Sequence, residues 1–282
     1  MNILTFDIEE WFHILDNDST KTAKEWQQYE SRIHSNMERI FTVLDATGVK
    51  ATFFCLGWIV EKYPNVIKAI VDKGYEVASH TDTHQLIYEQ NPKAFSTDIE
   101  HSIKTLEDIS GRKVRCFRAP GFSVREDNRW VFDILVNLGI SIDSSIFPAP
   151  RSHGGFSSYK ADIPALIQYD GIRLKEFPIS YASILGRPFV YSGGGYFRLF
   201  PYCCIKHWAK KSPYVMTYFH PRDFDTGQPV IENLPLSRKF KSYIGLRGAL
   251  KKLKSFLNDF EFIDIDAADK LIDWENASVI TV

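Results

Sequence analysis

The stretch Thr5-Phe6-Asp7-Ile8-Glu9-Glu10-Trp11 puts three carboxylates at the end of an apolar run. Clustered acids in a half-buried setting are costly unless a cation sits among them. Residues two apart in a strand share a face. Asp7 and Glu9 therefore point together, while Ile8 points into a packing layer. One of these acids could hold a metal ion while the other takes a proton from water. Glu10 is expected on the opposite face or in the following loop, in solvent. His80 and His84, in SHTDTH, are four apart. On a helical turn that spacing sets both imidazoles on one face, as metal ligands require. Two histidines, a carboxylate and an open position make a catalytic zinc arrangement.

Arg118 in RAPGF, Asp143 in SIDSS and His220 in YFHPRDF also close short apolar runs. The elements that must carry these residues alternate. Strands are predicted over 2–8, 50–56, 75–79, 114–118, 140–144, 173–179, 214–220 and 260–266. Helical spacing of apolar residues marks 36–48, 65–74, 93–110, 127–138 and 246–260, several of them stopped by glycine. Residues 145–173, rich in Pro, Gly and Ser, read as a long excursion, and 192–198 as a glycine-rich turn. Repeated strand–helix units imply parallel strands with right-handed crossovers. Their number favours a closed barrel over an open doubly wound sheet. In a parallel barrel the carboxyl ends of the strands share one rim, where active sites are built. All the residues singled out lie at such ends.

The chain has 282 residues, 44% of them hydrophobic, and a formal charge of −1. That is enough apolar material for a large single unit, and it lacks the basic excess of a nucleic-acid-binding protein. Its four cysteines include no C-x-x-C pair, which argues against a structural zinc or redox site. No run is long enough to span a bilayer and no signal-peptide pattern precedes NILTFDI. A soluble, cytoplasmic protein is expected.

In order along the chain, TFDIE, SHTDTH, RAPGF, IDSS and YFH resemble the motifs of the polysaccharide deacetylases with the NodB homology fold, carbohydrate esterase family 4. The later segments SGGGYFRLFPY, FHPRDFD and FKSYIGLRGALKKLKSFLNDFEF resemble a subgroup found with bacterial exopolysaccharide gene clusters. The resemblance implies an irregular (β/α)7–8 barrel of TIM type. It implies one domain over 1–282, with core motifs in 1–220 and a subgroup extension over 221–282. It implies removal of an N-acetyl group from an amino sugar, with release of acetate. The cofactor implied is a divalent metal, zinc first, with cobalt, nickel or manganese as alternatives.

Carried over by residue, Asp7 is the base and His80 and His84 are ligands. The family has adjacent aspartates in the opening motif. Here Ile8 takes the second place, which points to Glu9 as the third ligand and leaves Glu10 with neither role. Arg118 matches the arginine that pairs with the base. His220 matches the general acid and Asp143 the carboxylate that orients it. Gly121 stands where the family has an aromatic residue whose backbone N–H binds the oxyanion, and Phe122 follows. Tyr218 replaces a leucine that lines the acetyl slot.

Trp11, Phe12, His13, Trp58, Tyr191, Tyr196, Arg222 and Asp223 lie near the expected rim in sequence and are candidate sugar contacts. His13 is also an alternative ligand. Seven cations between 238 and 254 form either a solvated helix face or a peripheral contact with an anionic membrane. Two rivals stand beside the deacetylase reading: a deformylase or other amidase of the same fold, and a silent carbohydrate-binding module.

Overall fold

The computed structural model describes residues 1–15, 17–149, 153–232 and 234–282. The strands of its barrel and main sheet include β1 (Thr5–Ile8), β2 (Thr52–Cys55), β3 (Glu76–Ser79), β4 (Cys116–Phe117), β5 (Ile142–Asp143), β6 (Ala165–Tyr169), β7 (Ile172–Glu176), β8 (Val215–Met216) and β9 (Val279–Thr281). Strands β1 to β5 and β7 run parallel in chain order. On the far side of β1, β8 pairs in parallel with Asn2–Ile3, and a bridge from Phe219 to Phe6 extends the contact. Between β7 and β8 the circle closes through side chains. The Ser180 hydroxyl accepts from Met216 N at 3.0 Å, and the Tyr214 hydroxyl donates to Pro178 O at 2.9 Å. Seven parallel strands thus form an irregular barrel. The antiparallel β6 and the parallel β9 extend the sheet beyond β7.

Helices α1 (Ile33–Thr47), α2 (Gly57–Lys62), α3 (Pro64–Asp72), α4 (Pro92–Ser110) and α5 (Trp130–Asn137) are the crossovers. Strand alternation divides the core into two layers. Phe6, Ile8, Phe53, Cys55, Val77 and Phe117 face the helices. Ile3, Phe54, Ala78, Cys116, Ile142 and Met216 fill the barrel. Asp7 lies in register with Phe54 and Ala78, so it faces the interior at the carboxyl end.

The predicted strands and helices up to residue 144 are all present; the strands are shorter than read by a few residues, and three of the four helices start one to three residues earlier. Three expectations fail. The stretch 192–198 is a turn only at its start, and residues 194–199 are helical. The excursion 145–173 contains β6, which pairs with β7 as a hairpin; residues 150–152 of it lie outside the described residues. The stretch 260–266 gives only a single bridge, Ile263 to Ile3, and then turns helical. Asp264 stops the strand by capping α10 (Ile265–Leu271), its side chain accepting from Ala267 N at 2.8 Å.

Between these come α6 (Gly194–Leu199), α7 (Tyr202–Lys211), α8 (Leu236–Tyr243) and α9 (Leu246–Asp259). Residues 221–282 are built into the same unit. Leu253, Phe256 and Leu257 of α9 join the core layer of Phe6 and Phe53. Each such burial contributes roughly 1.5–3 kcal/mol. The seven cations of 238–254 fall on two helices rather than one face. Lys252 is structural, its Nζ donating to the carbonyls of Phe197, Arg198 and Phe200. Among the described residues no helix is long and apolar enough to cross a membrane. All four thiols are free, with Cys55 and Cys116 buried.

Candidate active site

A cavity of about 400 Å³ opens at the carboxyl ends of the strands, lined by Asp7, Glu9, His80 and His84. Glu9 follows β1 with the parity of Asp7. Its Oε1 lies 3.1 Å from His80 Nε2 and 3.0 Å from His84 Nε2. Burial raises the Glu9 pKa, but the imidazoles of His84 and His220 outweigh it and hold the carboxyl well below its usual range. The histidine pair is not on a helix. Thr81 and His84 take left-handed backbone, with φ of 69° and 56°, and that loop turns both rings inward.

The donor set fits a divalent ion. One atom from each of Glu9, His80 and His84 lies within 4.8 Å of the others. His80 Nδ1 lies 2.7 Å from the Arg118 carbonyl, which can only accept. The ring proton is therefore on Nδ1, and the Nε2 lone pair is free for a metal, as ligating imidazoles need.

Arg118 is fully buried and every polar arm is used. Nη1 donates to Asp7 Oδ1 and to Thr5 Oγ1, both at 2.7 Å. Nη2 donates to Ser144 Oγ at 3.0 Å, and the guanidinium lies 4.0 Å over the Phe54 ring. His220 faces these acids, its Nε2 3.9 Å from Asp7 Oδ2 and 3.7 Å from Glu9 Oε1. Burial opposes its protonation, yet Glu9, Asp223 and Asp7 raise its pKa to about 9. A divalent cation on Glu9 would draw that value down.

The partner of His220 is Asp223, not Asp143. Asp223 Oδ2 accepts from His220 N at 2.9 Å and lies 3.1 Å from its Nδ1. Its Oδ1 meets Arg198 Nε at 3.0 Å. Burial raises the Asp223 pKa, but Arg198 and His220 overcome it and bring it to about 2. Arg198 also takes the carbonyls of Lys241, Ser242 and Ile244. The end of α8 is thereby tied through Arg198 and Asp223 to His220.

Asp143 fails in its expected role because of register. It pairs with Phe117 and Glu176, which face the helix layer, whereas His220 faces the cavity. Asp143 and Glu176 form a buried acid pair. Ser145 Oγ donates to Asp143 Oδ1 and Ile146 N to Glu176 Oε1. Asp143 Oδ2 and Glu176 Oε2 have no other partner among the described residues, so one proton shared between the two carboxyls satisfies both. Burial pushes Asp143 up to about 6 and Glu176 well above the usual carboxyl range, the latter also through the charge of Asp143. The folded state thus holds a proton that the unfolded chain gives up near pH 4. The stability this proton confers is full below that pH and is lost as pH rises through about 6 and beyond. Glu176→Gln should remove this loss. Between pH 4 and 8, urea titrations should show the wild type losing on the order of 1–3 kcal/mol relative to the variant. Parallel pH profiles of the two proteins would refute the shared proton.

Glu10 is on the face opposite Asp7, as expected, but it is buried. That face is covered by α1, and Glu10 caps the helix from afar. Its carboxylate accepts from Arg32 N at 2.9 Å and from Ile33 N at 3.0 Å. Trp11 is not at the cavity either. It packs against Phe12 and Tyr29 and donates to Glu30 O at 2.9 Å. Nor do Phe12, Trp58 or Tyr191 line the cavity, whereas His13, Tyr196, Arg222 and Asp223 do. His13 Nδ1 accepts from Glu10 N at 3.3 Å, so its proton sits on Nε2 and the ring is set as a donor, not as a ligand.

Gly121 has φ of 62°, and a Cβ there would lie 2.9 Å from Leu15 Cδ1. An aromatic residue has no room at this position. The turn's hydrogen bonds run from Phe122 N to Ala119 O and from Ser123 N to Pro120 O, and neither uses the Gly121 N–H. Phe122 and Tyr218 meet edge to face at 5.2 Å on the cavity wall. The first two glycines after Ser192 make room for Tyr218: a Cβ on Gly193 would lie 2.4 Å from its Cδ1, and one on Gly194 2.7 Å from its hydroxyl. Reading the sequence alone missed Arg198 and the true role of Asp223. The signal for the latter was the capping spacing in His220-Pro-Arg-Asp223.

Residues 4–140 match the family described as Polysaccharide deacetylase, and residues 144–270 match a Domain of unknown function (DUF3473). The second match begins well before the extension read at 221. The peptidoglycan-N-acetylglucosamine deacetylase of Bacillus cereus is 27% identical over 118 residues, covering 38% of this chain and 43% of that protein. A chitooligosaccharide deacetylase of Rhizobium leguminosarum bv. trifolii is 27% identical over 124 residues, 43% of this chain and 55% of that protein. The chain thus spans about half or less of these curated relatives. Among solved structures, a Mycobacterium smegmatis protein assigned to the polysaccharide deacetylases superposes with a TM-score of 0.67 at 18% identity, over 100% of this chain and 92% of the other. A family 4 carbohydrate esterase from Streptomyces lividans, in complex with acetate, gives 0.50 at 12% identity, over 93% and 90%. These likenesses show the fold, an α/β barrel of NodB type. Through residues 4–140, just under half of its length, the chain is matched by the polysaccharide deacetylase family.

Proposed function

We propose that this protein removes the N-acetyl group of an amino sugar by metal-assisted hydrolysis, with zinc as the ion. The observation that carries the reading is the convergence of both imidazoles of the 80–84 loop on one carboxylate oxygen from the end of β1. Glu9 Oε1 lies within 3.1 Å of both His80 Nε2 and His84 Nε2, beside an Asp7 held by Arg118.

Glu9, His80 and His84 would hold the ion. When bound, a divalent ion supplies Lewis-acid polarisation and brings the pKa of water down to about 7. The protein supplies the rest. Asp7 Oδ2, left over after Arg118 takes Oδ1, accepts the proton of the attacking water. Arg118 fixes the angle of that carboxylate. The Gly121 N–H donates to the oxygen that gains charge as the amide carbon becomes tetrahedral. His220 Nε2 then gives a proton to the departing nitrogen, while Asp223 holds the ring through Nδ1. Water and amide leave as acetate and a free amine.

A second reading, release of a formyl group, is favoured by Tyr218 and Phe122, whose rings occupy the wall where the acyl methyl would lie. One experiment tests both. The protein as purified is analysed for metal, then incubated with N-acetylated and N-formylated chitooligosaccharides while acetate and formate are assayed. Near-stoichiometric zinc and acetate release, both lost in His80→Ala, are expected. Formate release alone selects the second reading. Turnover that survives in a metal-free protein rejects both.

A further inference from the structure

His13 and Arg222 are left over once the bonds of the cavity are assigned. Each carboxylate on its wall is already matched: Asp7 with Arg118, Glu9 with the histidine pair, Asp223 with Arg198 and His220. Arg222 lines the same cavity, and its Nη2 is buried with no acceptor among the described residues. Its guanidinium lies 5.9 Å from the centre of the Tyr243 ring. His13 Nε2, which carries the ring proton, is likewise buried without an acceptor. Both side chains line the one cavity. Buried donors are rarely left orphaned, and two together in a cleft mark a place for a ligand atom or a bound water.

Charge decides which. Among the described residues the cavity wall carries Arg198, Arg222, Arg238 and Lys241 against Asp7, Glu9 and Asp223. Arg118, behind the wall, already neutralises Asp7, and a divalent ion on Glu9 would add further positive charge. A water satisfies a donor but leaves this imbalance in place, whereas an anionic oxygen relieves both.

We propose that His13 and Arg222 form a subsite for an anionic group of the substrate, a carboxylate or phosphate carried on or beside the N-acetylated sugar. Lys241, brought to the mouth by α8, stands as an outer cation. The inference rests on the deacetylase reading for the sugar, but the anion site stands on its own geometry.

Free-amine sugars cannot be turned over, so the protein can be tested as purified. Calorimetry at low salt would compare glucosamine, glucosamine 1-phosphate and glucosaminuronic acid. At least one of the two anionic ligands is expected to bind about tenfold or more tightly than glucosamine. Which of them wins tells phosphate from carboxylate. Arg222→Gln should erase the preference, and Arg222→Lys should keep most of it. Equal binding of all three ligands by the wild type overturns the proposal, whether or not Arg222→Gln folds. So does a preference that survives Arg222→Gln, the result expected if the donors merely hold a water. Acetate release from chitooligosaccharide is read separately. Selectivity without acetate sinks the reaction and keeps the subsite; acetate without selectivity sinks the subsite alone.

Discussion

Asp7→Asn is expected to lower kcat by about 10³-fold while the metal content stays at the wild-type level. The side chain is isosteric, and none of the proposed metal donors belongs to it. What the variant lacks is the free carboxylate oxygen: Arg118 occupies Oδ1, and Oδ2 is the atom left to take a proton. The substitution also leaves the Arg118 guanidinium buried without its counter-charge. Breaking such a pair costs about 3 kcal/mol or more of stability. Assays therefore belong well below the variant's melting temperature, with circular dichroism to confirm the fold. Loss of metal together with activity would place Asp7 among the ligands instead. Retention of more than a tenth of the wild-type rate would remove it from the base role altogether.

The parts of this site that the sequence exposed were those governed by local rules. Alternation along one strand placed Asp7 and Glu9 together and sent Ile8 into the core. The four-residue spacing of His80 and His84 marked a pair, although two left-handed residues rather than a helical turn bring them together. The misreadings share a cause. Glu10 was on the expected face, but nothing local says that α1 covers that face and offers its N-terminal amides. Asp143 stands at a strand end like the others. Which way it points depends on its pairing with Phe117 and Glu176, a property of neighbouring strands. Trp11 failed the same way, since an aromatic beside an acid reads alike whether it stacks on sugar or on Tyr29. The strand expected over 260–266 had the right alternation and lost to a helix cap two residues from its end.

Replacing each candidate orienter of the proposed acid separates the two arrangements. Asp223→Asn should lower kcat by about 10²-fold with little change in KM, and Asp143→Asn should have an effect at least tenfold smaller. Asp223 holds His220 from both its backbone and Nδ1, and it is itself fixed by Arg198. An amide in its place can offer its oxygen to only one side of this arrangement and presents a donor to the other. The ring then loses both its orientation and the negative charge that favours its protonated form. Asp143 holds no such group. Its neighbours are Ser145 and Glu176, and a neutral amide resembles the proton-sharing state it already occupies. Arg198→Gln extends the test outward. It leaves Asp223 with His220 alone and frees the end of α8, so it should lower kcat by a smaller factor than Asp223→Asn, and in the same direction. An Asp143 variant that loses more activity than the Asp223 variant would mean that the acid is oriented from within the barrel wall, and the chain of contacts from α8 would then be structural only.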